Sequence, residues 1–248
     1  MIGSRRSHGA GYIGRAVRPK TLDHVAYWLA DRDRVADFVT THLGMHVIER
    51  TDKFTLVGSD ARKGKLTLFE AEAPRERGAL KHVALRVNDL DAAVTELPDS
   101  VVVDRTNGTA LFDLGDGINL GLVEATTETE YDLDHVALFS TDPEATAQRY
   151  RDYGFEAAEP GADGAPRVEV AGAYVEFHEG EPGDPESPLL NHLAVLVDSA
   201  EDHRTAAEER DIEVQDFVDA PNTLAVFVWL PERVRLEYVE HKPTFALK

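Results

Sequence analysis

Leu133-Asp134-His135-Val136-Ala137 is one of four near-identical pentapeptides in the chain. The others are Leu22-Asp23-His24-Val25-Ala26, Leu80-Lys81-His82-Val83-Ala84 and Leu190-Asn191-His192-Leu193-Ala194. Their histidines are 58, 53 and 57 positions apart. A nearly constant period of this size marks one supersecondary unit used repeatedly.

Outward from each pentapeptide the same order of signals follows. The pentapeptide reads as a short strand, apolar on both faces apart from its histidine. A helix start comes next: Asp31, Asp89, Thr141 or Asp142 followed by Pro143, and Asp198 or Ser199. Gly44 and Gly154 stand where helix C-terminal glycines belong. Two or three short strands then follow, punctuated by turns such as Asn107-Gly108 and Asp116-Gly117. The unit is βαβββ, and its crossover helix lets the first and last strands lie side by side. The chain is therefore expected to be α+β, built from four such modules. Links fall at 73–79, 125–131 and 180–188.

The remaining composition narrows the chemistry. There is no cysteine, so disulfides and thiolate metal sites are excluded, and any metal must be held by His, Asp or Glu. A net charge of −20 argues against nucleic acid, which needs a basic surface. No apolar run approaches the length needed to span a bilayer. Residues 1–20 carry Arg5, Arg6, Arg15, Arg18 and Lys20 with no apolar stretch behind them, which reads as a basic arm rather than a secretory signal. A cytoplasmic protein is expected, with a homo-oligomer compatible with the sequence.

Four βαβββ modules with histidines in their opening strands resemble the vicinal oxygen chelate superfamily. That group includes glyoxalase I, epimerases, bleomycin-resistance proteins and type I extradiol dioxygenases. The resemblance covers residues 20–243 and implies modules paired into two cup-shaped domains, with a divalent metal held by opening-strand histidines and a closing-strand glutamate. The closing strands carry Glu237, Glu176, Gly121 and Thr67 at the ligand position in copies four, three, two and one. With neighbouring modules paired, residues 21–126 would form an N-terminal pair with a degenerate site, since His24 and His82 have no acidic partner there. Residues 127–248 would form a metal-bearing pair.

The resemblance then implies His135, His192 and Glu237 as metal ligands, with Glu176 as a possible fourth ligand or base. Two imidazoles and one carboxylate suit Fe(II), with Mn(II), Zn(II), Ni(II) or Co(II) as alternatives. His178 lies fourteen positions before His192, an offset similar to that of the acid–base histidine in homoprotocatechuate-type extradiol enzymes. Tyr174, Phe139, Phe227 and Trp229 are expected to line the substrate cup. Three functions follow. The first is an Fe(II) extradiol-type dioxygenase using O2 on a small catechol or enediol. The second is a glyoxalase- or epimerase-like lyase or isomerase with two His and two Glu. The third is a small-molecule binding or resistance protein.

Overall fold

The computed structural model describes residues 18–106 and 108–246, so most of the basic arm, and Asn107 of the Asn107-Gly108 turn, lie outside the described residues. Module one contains β1 (Thr21–Leu29), α1 (Arg32–His42), β2 (His46–Arg50), β3 (Phe54–Gly58) and β4 (Lys65–Glu70). Module two contains β5 (Leu80–Val87), α2 (Leu90–Thr95), β6 (Val103–Thr106), β7 (Thr109–Asp113) and β8 (Asn119–Glu124). Module three contains β9 (Asp132–Ser140), α3 (Pro143–Tyr150), β10 (Glu156–Ala157), β11 (Arg167–Val170) and β12 (Ala173–Glu179). Module four contains β13 (Leu190–Leu196), α4 (Ala200–Glu209), β14 (Val214–Asp219), β15 (Thr223–Trp229) and β16 (Arg235–His241).

Each helix starts on a side-chain cap. Asp31, Asp89, Asp142 and Ser199 accept from the backbone N–H three residues on, which satisfies a donor the helix cannot. Gly44 and Gly154 take positive φ just past their helices, a conformation that glycine adopts without strain. In every module the first and last strands pair in parallel. The helices cover one face of each sheet with apolar side chains such as Val35, Val39, Tyr150 and Ala207, all buried. The Tyr150 and Phe177 rings meet edge to face, with centroids 4.7 Å apart.

Module pairing departs from the expected division near residue 126. One eight-stranded sheet runs β14-β15-β16-β13-β1-β4-β3-β2, and the other runs β10-β11-β12-β9-β5-β8-β7-β6. Modules one and four thus share a sheet, and modules two and three share the other. All four opening strands offer a similar apolar edge, so the repeat does not encode which edges meet. The short link after β8 instead turns module three back on module two, with Tyr131 N–H donating to the Arg86 carbonyl at 2.7 Å. β9 then lies antiparallel to β5, and β13 to β1.

Bulges interrupt these central pairings in a regular way. The ladder passes from Leu22 to His24 opposite Val195 and Ala194, leaving Asp23 as the extra residue. Asn191, Lys81 and Asp134 are the extra residues in the other three opening strands. A bulge breaks the strict alternation of side chains and re-aims one of them. Each bulge residue therefore stands beside the histidine that follows it.

Candidate metal centre

His24, His192 and Glu237 converge in the cup of modules one and four. His24 Nε2 and His192 Nε2 are 3.0 Å apart, and Glu237 Oε2 lies 3.2 Å and 2.9 Å from them. The sheet register produces this meeting: His24 pairs with Ala194, which pairs in turn with Glu237, while His192 pairs with Ala26. Among the described residues, this is the group of His, Cys, Asp or Glu whose ligand atoms all lie within 4.8 Å of one another.

The bulge residues settle the tautomers. His24 Nδ1 donates to Asp23 Oδ2 at 2.8 Å, and His192 Nδ1 donates to Asn191 Oδ1 at 2.8 Å. Carboxylate and amide oxygens only accept, so each imidazole keeps its proton on Nδ1. The two Nε2 atoms then face one another and a carboxylate oxygen, and without a metal the His24 Nε2 carries a proton toward them. Two ring nitrogens and a carboxylate around one point, with Glu237 only 7% exposed, form a hollow in which a metal cation could replace that proton. Burial works against charge on His24, but Asp23 and Glu237 outweigh it and raise its pKa to about 9. Burial would raise Glu237, yet His192 and His24 hold it far below the usual carboxylate range. His192 is lowered, chiefly by burial. The donor set of two imidazoles and one carboxylate suits a divalent metal such as Fe(II).

The cup itself is a cavity of about 500 Å³. Phe54, Phe69 and Phe227 supply apolar wall, and the Phe227 ring lies 5.4 Å from that of His192. Thr67, buried and also on the cup, pairs with Ala26 and so occupies in module one the position that Glu237 holds in module four.

The expected ligand His135 lies in the other sheet, so it does not meet His192 and Glu237; His24 stands beside them instead. The reason is the module pairing: β1, rather than β9, lies beside β13. His135 Nε2 instead faces His82 Nε2 at 2.9 Å, in the smaller cup of modules two and three. Glu176 is there too, so it supplies no fourth ligand to Glu237. It stands 3.7 Å from His135 Nε2 and is drawn to Arg167 Nη1 at 3.4 Å. His178 also lies in this second cup, beside Lys81 Nζ at 3.0 Å, and does not reach the triad.

Lys81 marks the difference between the two cups. It replaces the acceptor found before the other three histidines, and His82 has no orienting carboxylate. Burial, His135, Lys81 and His178 together push the His82 pKa down to about 3. Of the expected cup residues, Phe227 lines the larger cup. Tyr174 lies under the Arg167 guanidinium at 3.9 Å. Trp229 lines a separate cleft with Arg149 and Tyr153, and Phe139 lies against Gly180. The sequence alone does not place His24 beside His192 and Glu237. The signal available was the acceptor preceding it, Asp23.

Comparison with known proteins agrees with this architecture. No curated protein matches the chain in sequence. A "putative dioxygenase" from Bacillus subtilis subsp. subtilis str. 168 superposes with a TM-score of 0.75 at 16% identity, over 93% of this chain and 88% of that one. Glyoxalase I from Zea mays superposes with a TM-score of 0.69 at 16% identity, over 89% and 92% of the two chains. The cppA protein from Streptococcus pneumoniae TIGR4 gives 0.55 at 15% identity, over 90% and 99%. Residues 21–117 match the family described as Glyoxalase/Bleomycin resistance protein/Dioxygenase superfamily, and the same module repeats through the rest of the fold.

Proposed function

We propose that the chain is a metal-dependent vicinal oxygen chelate enzyme, an extradiol-type dioxygenase acting on a small catechol or enediol in the cup of modules one and four. The observation that carries this reading is the triad of two histidines and one glutamate with Thr67 across from it. A glyoxalase- or epimerase-like site would use a second carboxylate, and the candidate for that role, Glu176, lies in the other sheet. When bound at the triad, Fe(II) would supply adjacent coordination positions for vicinal substrate oxygens and for O2.

The chain's own residues do the rest. Asp23 and Asn191 fix the two imidazoles with Nε2 toward the ion, and Glu237 contributes the balancing charge. Phe54, Phe69 and Phe227 exclude water and offer ring faces to a planar substrate. The Bacillus subtilis relative's designation as a dioxygenase supports the same reading.

The test is anaerobic reconstitution with Fe(II), followed by oxygen-electrode measurement with a panel of catechols. Consumption of one O2 per catechol, with ring-opened product, is expected. A protein that holds one metal but consumes no O2 with any catechol, and isomerises a hemithioacetal instead, would move the assignment to the lyase or isomerase branch.

A further inference from the structure

The cup of modules two and three holds a lysine that the metal reading leaves without a task. Its cavity, about 290 Å³, is lined by Lys81, His178, Asp163 and Glu176, with Leu111 and Val123 as apolar wall. Lys81 is the bulge residue of β5, which takes it out of the strand's strict alternation. Its Nζ lies 3.0 Å from Nδ1 of His178, which comes from β12 of module three. Lys81 is half-buried and lines the cavity, so a small solute in the cup meets its amine.

The neighbours of this amine form a chain. An ammonium only donates, so His178 Nδ1 is the acceptor and the ring proton sits on Nε2. Glu176 Oε2 stands 3.8 Å from that Nε2, and Asp163 Oδ2 stands 3.6 Å from Nδ1. A proton passed from Nζ to His178 is therefore received between two carboxylates. Lys81 itself makes no ion pair among the described residues; its side-chain partner is the imidazole. Burial lowers the Lys81 pKa, against the opposing pull of Asp163 and Glu176. An amine, a base within hydrogen-bond reach and a carboxylate behind the base form the arrangement that activates a nucleophile.

We propose that Lys81 is the nucleophile of a second site, where it captures a small neutral aldehyde or ketone as an imine while His178 takes the proton of its ammonium. Nζ bonds to the carbonyl carbon, and the carbonyl oxygen leaves as water. Of the two protons on that water, one comes from Nζ and the other is returned by His178. One ammonium and one carbonyl thus give one iminium and one water. The compound is neutral because Asp163 and Glu176 oppose a further carboxylate in so small a cup. The site needs no metal and is independent of the chelate reading.

The experiment is reductive trapping. The full chain is treated with limiting propanal and cyanoborohydride near neutral pH, and labelled lysines are mapped by peptide mass spectrometry. Reduction fixes the imine as a secondary amine, which adds the mass of propanal less one oxygen. Lys81 should label at least about tenfold faster than the exposed Lys53 and Lys63, a comparison that needs no variant. Its labelling should also persist to lower pH than theirs. His178→Gln should slow Lys81 by about tenfold or more while Lys53 and Lys63 keep their wild-type rates. Labelling of Lys81 no faster than that of Lys53 and Lys63 would overturn the site. So would a Lys81 rate that His178→Gln leaves unchanged, or lowers only in step with the other two.

Discussion

The two cups are built from the same module with the same register, and their central histidines meet at nearly the same distance, 3.0 Å in one and 2.9 Å in the other. Their electrostatic surroundings are opposite. In the cup of modules one and four, acceptors stand before both histidines and Glu237 closes the triad. In the cup of modules two and three, Lys81 stands before His82, Arg167 holds Glu176 aside, and Gly121 takes the place that Thr67 fills in the larger cup. One hollow leaves its carboxylate facing two imidazoles, and in the other cationic side chains already stand beside the carboxylate and a histidine. Imidazoles in contact are thus insufficient for a metal site; the neighbour that orients each ring and the charge that faces it decide.

The largest contrast should come from the two glutamates. Glu237→Gln is expected to weaken divalent metal binding by more than about 100-fold, because a ligand lost outweighs an orienting partner lost. Glu176→Gln should leave it unchanged, and competition against a chromophoric chelator measures both. If Glu176→Gln weakened metal binding as strongly, the division between the cups would fail. A step smaller, Asp23→Asn should weaken binding about 10- to 100-fold, whereas Asp134→Asn, its counterpart in the other cup, should have no effect. The same chelator titration separates them.

Much of this was legible in the sequence. The four pentapeptides disclosed the module, its strand order and its helix starts, because caps and turns are local chemistry. The structure chose Asp142 and Ser199 between the alternatives offered. His192 and Glu237 were legible as a pair because they belong to one module and its parallel first and last strands. Their third partner was not, because it depends on which modules share a sheet. Four strands with interchangeable edges encode that only through their links and the overall packing. Residue types before each histidine, Asp, Lys, Asp and Asn, held a clue. It became readable once the bulges showed that these side chains turn toward the ring.

The cups also differ in how they respond to pH. His82 has its pKa lowered from 6.5 to about 3, so between those values the unfolded chain binds a proton that the folded chain refuses. Its contribution to stability is therefore full above pH 6.5 and declines as pH falls, by about 2 kcal/mol near pH 5. Urea unfolding of wild type and His82→Asn should show this acid-side slope in the first and its reduction in the second. His24, raised to about 9, slopes the other way in metal-free protein: its contribution is full below pH 6.5 and is lost as pH rises toward 9. Equal slopes in wild type and His82→Asn would contradict a His82 held neutral by burial and its neighbours. The smallest effect is expected from repair. Lys81→Asp with Arg167→Gln should add a second, weak equivalent of bound Co(II), seen by titration, since it restores the orienting carboxylate and frees Glu176.

Metal content of paired histidine variants tests the whole arrangement most directly. Purified protein loaded with Fe(II) or Zn(II) and freed of excess should hold one metal per chain by elemental analysis. His24→Ala should lose it, and His135→Ala should retain it. Loss in His135→Ala with retention in His24→Ala would show that the metal, where it binds, is not held in the cup of modules one and four.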